Sequence, residues 1–260
     1  MKIAVTGKGG VGKTLLASLL SKLFSEAGYS VIAIDADPDA NFAATLGFPN
    51  ADKIVPISEM KDLIEERTGA KAGESAPYFR ISPKVDDIPE KYALKQGNIR
   101  LMRMGRIKKG GSGCYCPENA LLQTLMAHLL VARNEVVIMD MEAGIEHLGR
   151  GTARFVDKLI VVVEPGRKSI DTAHNIQQMA GQLGMKDIVI VGNKVRNQGD
   201  KDFIISSLPE FTFLGFLPYD QAIVDADQAG VPVLESSKPV IAEARRIYQT
   251  LSPTKEPARK

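Results

Sequence analysis

The chain has 260 residues, of which 44% are hydrophobic and 25% are charged. A chain of this size buries a substantial core, and the composition is typical of one α/β domain. The 33 basic residues nearly balance the 31 acidic ones, so the overall charge does not indicate nucleic acid or an anionic membrane as a partner. We therefore predict one domain over residues 1–260 and expect neither nucleic acid nor a membrane as a partner. We also predict a flexible tail at 252–260.

The N-terminus enters a β-strand at once, because Ile3, Ala4 and Val5 are apolar and follow directly after the first two residues. No apolar signal core comes before this strand. A membrane-spanning helix needs about 18 consecutive apolar residues, and the sequence has no such run. We therefore expect a cytoplasmic protein.

The segment after the first strand has the form Gly-x4-Gly-Lys-Thr and leads into a helical pattern. In this strand–loop–helix context the motif predicts a phosphate-binding loop. The glycines let backbone N–H groups surround phosphate oxygens, Lys13 places a charge on the β- and γ-phosphates, and the Thr14 hydroxyl is suited to ligate Mg²⁺. The residues predicted to contact the nucleotide here are Gly7, Lys8, Gly9, Gly10, Val11, Gly12, Lys13, Thr14 and Leu15.

Apolar runs alternate with longer amphipathic stretches along the chain, which is the pattern of repeated β-α-β units. The runs are continuous, and this indicates strands that are covered on both faces. We predict an α/β fold, a P-loop NTPase whose mostly parallel sheet is flanked by helices on both faces. The later predicted strands are Val31–Ile34, Val136–Met139, Leu159–Val163, Ile188–Val191 and Phe213–Phe216.

Three acidic residues, Asp35, Asp37 and Asp39, follow the second predicted strand. Doubly wound sheets bind their ligands at the carboxyl ends of strands, and three carboxylates there repel one another unless a cation balances them. Mg²⁺ supplies that balance, and a carboxylate in this loop is suited to orient the attacking water. The spacing alone does not choose among the three, and an N-cap role for Asp37 or Asp39 is compatible with this chemistry.

The apolar pattern weakens over residues 50–97, where a charged helix is predicted at Ser58–Arg67. We interpret this segment as an insertion on the core. Further on, the strand at Val136–Met139 runs into Asp140, which has the form of a Walker B motif and predicts an aspartate that holds Mg²⁺ through water. Gly144 gives the segment that follows the backbone freedom of a phosphate sensor.

The only two cysteines, Cys114 and Cys116, are separated by one residue and follow a basic, glycine-rich loop. So tight a ring strains a disulfide, and Pro117 indicates that a helix begins directly after them. A helix N-terminus and nearby lysines favour thiolates, which are the metal-binding form. Two thiolates do not fill a tetrahedral site, but two chains related by a two-fold axis supply four.

The phosphate loop carries a second lysine, Lys8, which a minimal loop does not need. Its sequence, Gly-Lys-Gly-Gly-Val-Gly-Lys-Thr, resembles the deviant Walker A motif of the family that contains the nitrogenase iron protein and the MinD and ParA positioning ATPases. The resemblance implies an ATPase whose Lys8 crosses a dimer interface to the other subunit's nucleotide. It makes Lys8, Lys13 and Asp37 the catalytic residues, with Asp37 orienting water and binding Mg²⁺ alongside Thr14 and Asp140. By the same resemblance Asn193 and Pro218 contact the base.

Further stretches narrow this resemblance. Leu101–Gly105, the Cys-Tyr-Cys-Pro-Glu sequence and Glu142–Thr152 resemble the CooC-type ATPases that mature carbon monoxide dehydrogenase, and the likeness extends from the phosphate loop to about Tyr219. It implies a nucleotide- and metal-dependent homodimer that hydrolyses ATP and assists nickel insertion into carbon monoxide dehydrogenase. Cys114 and Cys116 of both chains would bind Ni²⁺ or Zn²⁺, since affinity order alone does not separate the two metals.

Two other functions stay open. A positioning ATPase of the MinD or ParA kind needs a membrane helix or a basic surface, whereas the last helical stretch, Val240–Tyr248, has a modest apolar face that suits packing. An electron-transfer ATPase like the nitrogenase iron protein places its cluster ligands in two loops, whereas both cysteines here share one loop. The histidines at 128, 147 and 174 are scattered, and we predict that each is structural.

Overall fold

The computed structural model describes residues 1–37, 41–72, 78–105, 117–131, 135–145, 148, 153 and 155–252. In chain order its strands are β1 (Lys2–Thr6), β2 (Val31–Ala36), β3 (Leu94–Gln96), β4 (Ile99–Arg103), β5 (Val136–Met141), β6 (Lys158–Val163), β7 (Ile188–Val195) and β8 (Thr212–Pro218). Its helices are α1 (Lys13–Glu26), α2 (Phe42–Thr45), α3 (Lys61–Thr68), α4 (Ile88–Tyr92), α5 (Pro117–Val131), α6 (Arg167–Gln182), α7 (Gln198–Ser207), α8 (Gln221–Gln228) and α9 (Lys238–Leu251). Short 3-10 turns lie at Ala51–Lys53, Ile57–Glu59 and Val233–Glu235.

These strands form one sheet in the order β3-β4-β2-β5-β1-β6-β7-β8. Neighbouring strands are parallel except β3, which is antiparallel to β4. The order reverses direction at β1, since β5 and β2 lie on one side of it and β6 and β7 on the other. The carboxyl ends on both sides of such a switch point form the crevice in which ligands of open α/β sheets bind.

Helices cover both faces of the sheet. Ile3 and Val5 of β1 belong to the core that contains α1 and α9, whereas Ala4 between them belongs to the core that contains α3, α5 and α6. Because every central strand is buried on both sides, its sequence is continuously apolar. The predicted α/β fold with a mostly parallel sheet is confirmed.

The last helix, α9, is a packing helix, as predicted. Its buried residues, Val240, Ala244, Ile247 and Leu251, recur at helical spacing and belong to the core shared with α1. No helix in the described part of the chain is long and apolar enough to span a membrane.

One edge of the sheet differs from the prediction, because the analysis of apolar runs missed β3 and β4. In β4 two arginines interrupt the apolar residues, and Arg100 forms ion pairs with Glu135 at 2.8 Å and with Glu90 at 3.4 Å. A strand near an edge tolerates such charges because its side chains reach solvent. The predicted sheet therefore lacked two strands, β3 and β4, at this edge.

The segment between β2 and β4 also differs in detail. The predicted helix over Ser58–Arg67 is wrong in its first turn, because the Ser58 N–H donates to the Met104 carbonyl at 3.1 Å and α3 begins only at Lys61. Buried Arg67 of α3 donates to Asp87, just before α4, at 2.8 Å. The boundaries of the insertion at 50–97, the single domain and the tail at 252–260 remain predictions.

Candidate nucleotide-binding site

The phosphate loop joins β1 to α1 and is held open by three glycines with positive φ. Gly7 has φ 144°, Gly10 has 78° and Gly12 has 96°, a region that other residues rarely adopt. A Cβ atom at Gly7 would lie 2.3 Å from the Val162 carbonyl oxygen of β6, and one at Gly12 would lie 2.2 Å from Asn193 Nδ2. Glycine is therefore required at both positions, for its conformation and for the space around it.

Two side chains of the first turn of α1 contact carboxylates at the strand ends. The Lys13 ammonium lies 3.6 Å from Asp37 Oδ2, and the Thr14 hydroxyl donates to Asp140 Oδ2 at 2.6 Å. The prediction grouped these four residues from three separate stretches of the sequence. The structure brings them together beneath the loop.

Asp140 is fully buried at the carboxyl end of β5. Burial raises its pKa to about 7, although the hydrogen bond from Thr14 and the charge of Lys13 oppose the shift. Its second oxygen, Oδ1, is buried and has no hydrogen-bond partner among the described residues. A buried carboxylate oxygen beside a threonine hydroxyl offers the hard oxygen ligands that Mg²⁺ prefers, so the donor set fits a magnesium site.

Asp35 lies opposite Asp140 on the neighbouring strand β2. Its carboxylate accepts the backbone N–H of Asp37 at 3.3 Å and that of Phe42 at 3.2 Å. Burial raises its pKa to about 6, and these two hydrogen bonds oppose the shift. Asp35 thus shapes the acidic loop and accepts the backbone N–H of Phe42, the first residue of α2. The N-cap position of α2 is Asn41, so the N-cap role considered for Asp37 is not seen at this helix. Asp39 lies outside the described residues.

Asn193, predicted as a base contact, sits over the phosphate loop. Its Nδ2 donates to the Val11 carbonyl at 2.7 Å and its Oδ1 accepts the Lys194 N–H at 2.9 Å. The side chain is buried and directly faces Gly12. Asn193 therefore links the end of β7 to the loop, which is a structural role that the sequence motif did not indicate.

A cavity of about 290 Å³ opens beside the loop, between the ends of β7 and β8 and helix α8. It combines a few polar groups with an apolar wall, which is the usual character of a small-molecule pocket. Leu15, predicted to contact the nucleotide, lines it together with the predicted base contacts Asn193 and Pro218. Its position next to the phosphate loop suits a nucleoside, and their base contacts remain a prediction.

Two charged residues at this site were not predicted, Glu164 and Lys194. Lys8 Nζ lies 3.3 Å from Glu164 Oε1, and Lys194 Nζ lies 3.1 Å from Oε2 and donates to the Gly10 carbonyl at 2.6 Å. Partial burial works to raise the pKa of Glu164, but the hydrogen bonds and charges of Lys194 and Lys8 outweigh it and hold the pKa below its ordinary value. The sequence feature that could have identified these two residues is their position near the carboxyl ends of β6 and β7, where open α/β sheets bind their ligands.

The predicted metal ligands Cys114 and Cys116 lie outside the described residues, which resume at Pro117 with α5. In the described ranges no group of three or more His, Cys, Asp and Glu side chains is arranged to hold a metal ion. His174 lies 3.2 Å from Glu210 near the surface, and His147 is outside the described part of the chain.

The chain is similar to known proteins over most of its length. Residues 2–233 match the family model of the CobQ/CobB/MinD/ParA nucleotide binding domain. The chain is 47% identical over 239 residues to the carbon monoxide dehydrogenase accessory protein CooC of Rhodospirillum rubrum, which covers 91% of this chain and 90% of that protein. It is 48% identical over 241 residues to an uncharacterized ATP-binding protein of Methanocaldococcus jannaschii, covering 92% and 93%. The MinC:MinD cell division protein complex of Aquifex aeolicus has a similar fold, with a TM-score of 0.69 at 21% identity over 99% of this chain and 98% of that one.

Proposed function

This chain belongs to the CobQ/CobB/MinD/ParA family of nucleotide-binding ATPases and to its CooC-type branch, and we propose that it is an ATP-driven metallochaperone for carbon monoxide dehydrogenase. The observation that carries the ATPase cycle is the Thr14–Asp140 contact at 2.6 Å below a glycine-rich loop. The client enzyme is supported by the likeness to the Rhodospirillum rubrum accessory protein over nine-tenths of the chain.

The residues of the site divide the work on the nucleotide. The backbone N–H groups of the loop bind phosphate oxygens, and the cavity beside Pro218 receives the base. Mg²⁺, when bound, neutralises charge on the β- and γ-phosphates, and Thr14, with Asp140 and Asp37 through water, would hold it. The Thr14 hydroxyl and the Asp140 carboxylate are in direct contact, at 2.6 Å.

The Lys13–Asp37 ion pair couples phosphate binding to water activation. Lys13 contacts Asp37 at 3.6 Å, and a phosphate in the loop is a stronger partner for the ammonium group because it carries more charge. When Lys13 turns to the phosphate, the Asp37 carboxylate loses this contact and accepts a proton of the attacking water. Lys13 and Asp37 are thus both catalytic in the proposed cycle.

Lys8 is the residue that makes the proposed ATPase cycle depend on a dimer. Its side chain lies at the mouth of the loop and is 36% exposed, so a facing subunit can reach it. In the proposed closed dimer, Lys8 of each subunit contacts the phosphates bound by the other, and hydrolysis loosens the pair. Nucleotide and metal affinities are then coupled, because both ligands favour the closed state.

The cargo metal would be bound by Cys114 and Cys116 of the two subunits. Four thiolates complete a tetrahedral site that suits Zn²⁺ and also binds Ni²⁺. Because the thiolates come from two chains, the affinity for the metal would depend on the nucleotide state of the dimer. Transfer to the client enzyme would follow hydrolysis.

Metal titration with simultaneous mass measurement tests this proposal. Ni²⁺ and Zn²⁺ are added to the wild-type protein and to the Cys114→Ser/Cys116→Ser protein, each with ADP or a non-hydrolysable ATP analogue. We expect one metal ion per two chains, and we expect it to be lost in the double variant. The absence of cysteine-dependent metal binding would overturn the metallochaperone proposal and favour a positioning ATPase.

A further inference from the structure

Beside the phosphate loop, the carboxylate of Glu164 lies between the ammonium groups of Lys8 and Lys194. Glu164 follows β6 directly, and each of its oxygens accepts a hydrogen bond from a different lysine: Oε1 from Lys8 at 3.3 Å and Oε2 from Lys194 at 3.1 Å. Lys194 also donates to the Gly10 carbonyl, and its backbone has φ 57°, which is uncommon for a residue other than glycine. Lys194 is therefore anchored at two points.

Lys8 has a looser attachment than Lys194. Among the described residues, the Lys8 ammonium group has one ion-pair contact, with Glu164, and its distance of 3.3 Å is longer than either contact of Lys194. If Lys8 leaves, the Glu164 carboxylate keeps Lys194 on its other oxygen and is not left as an uncompensated, partly buried charge. The cluster therefore allows one of its two cations to depart at low cost.

We propose that Glu164 is a positioning residue that holds Lys8 on its own subunit until the dimer closes, with Lys194 retaining the carboxylate after Lys8 departs. The inference rests on the proposed function, in which Lys8 acts on the nucleotide of the other subunit. It adds that Glu164 competes with the nucleotide of the other subunit for Lys8. Glu164 then sets the protein concentration at which ATP brings subunits together.

Substitutions of Glu164 and of Lys194 should shift dimer closure in opposite directions, which distinguishes this role from a structural one. In Glu164→Gln the competing charge is gone, so closure becomes easier. In Lys194→Met the carboxylate depends on Lys8 alone, so the departure of Lys8 leaves an uncompensated charge and closure becomes harder. A purely structural role of the cluster would make both variants worse in the same direction.

The experiment measures the rate of ATP hydrolysis per chain over a range of protein concentrations, at saturating ATP and Mg²⁺. An exposed ion pair contributes a factor of about 1.4 to 5, and a dimer contains two, so the half-maximal concentration of Glu164→Gln should be roughly two- to thirty-fold below the wild type. That of Lys194→Met should be above the wild type, and Glu164→Gln/Lys194→Met should again be below it. Analytical ultracentrifugation with the non-hydrolysable ATP analogue should give the same order.

Two further variants make the result decisive. Glu26→Gln removes a carboxylate of a remote ion pair, with Arg245 at 3.2 Å, and should leave the half-maximal concentration unchanged. Lys8→Met should abolish the concentration dependence. If it does so while Glu164→Gln matches the wild type or lies above it, the role of Glu164 is overturned and the role of Lys8 stands. If Lys8→Met keeps the wild-type concentration dependence, the proposed exchange of lysines between subunits is itself wrong.

Discussion

Replacement of Gly12 by alanine should destabilise the protein through two separable effects. The backbone at this position has φ 96°, and an alanine held in this region costs about 1–3 kcal/mol. The new Cβ would also lie 2.2 Å from Asn193 Nδ2. Asn193 is buried and makes hydrogen bonds at both ends of its amide, so it cannot move aside without losing them, at about 1 kcal/mol each. The expected total is about 3–5 kcal/mol.

Equilibrium unfolding in urea, without nucleotide, measures this change, and two further proteins separate its parts. In an Asn193→Ala background the clash is absent, so Gly12→Ala should cost only the backbone part, about 1–3 kcal/mol. Gly9 is a matched control in the same loop, because its φ lies outside the range of +20° to +160° and nothing lies within 4 Å of a Cβ built there. If Gly12→Ala destabilises no more than Gly9→Ala, or if its cost is the same with and without Asn193, the reasoning about this close approach is refuted.

Three other changes test separate parts of the structure. Asp140→Asn should lower the rate of ATP hydrolysis by roughly a hundred-fold or more, because it removes the buried carboxylate that fits Mg²⁺; steady-state rates check this, and a rate within a few-fold of the wild type would exclude Asp140 from the metal site. Val224→Trp should fill the cavity beside Pro218 and weaken binding of a fluorescent ADP at least about ten-fold, whereas Val231→Trp, at an exposed position outside the cavity lining, should not. Asp87→Asn should destabilise the protein by about 2 kcal/mol at pH 7, because buried Arg67 loses the nearer of its two carboxylate partners, at 2.8 Å, and keeps only Glu66, at 3.4 Å. Hydrogen bonds from Lys91 and, to a lesser degree, from Arg67 hold the pKa of Asp87 well below its ordinary value. The contribution of Asp87 to stability is therefore present above about pH 4 and is lost as the pH falls below it. Urea unfolding at several pH values should show that the difference in unfolding free energy between wild type and variant narrows in acid, and a constant difference would contradict the assignment.

Local sequence patterns were sufficient for the parts of the site that form within one contiguous segment. The phosphate loop needs glycines, Lys13 and Thr14 at fixed spacing between a strand and a helix, so the octet is readable without knowledge of the rest of the chain. A buried strand that ends in an acid is likewise a local feature, and Asp140 was found in this way. The continuous apolar runs were sufficient to predict a sheet that is covered on both faces.

The edge of the sheet and the partners of Lys8 depended on the tertiary structure. The strand β4 has arginines among its apolar residues, and its strand character is evident only from its pairing with β2 and β3. Glu164, directly after β6, and Asn193 and Lys194, in β7, lie more than 150 residues along the chain from the loop they contact. Glu164 and Lys194 look like ordinary residues at the end of an apolar run, and the sequence did not indicate the hydrogen bond of Asn193 to the loop, because nothing in these segments records which strand lies beside them. The strand order brings their ends to the phosphate loop, and that order is a property of the packed sheet.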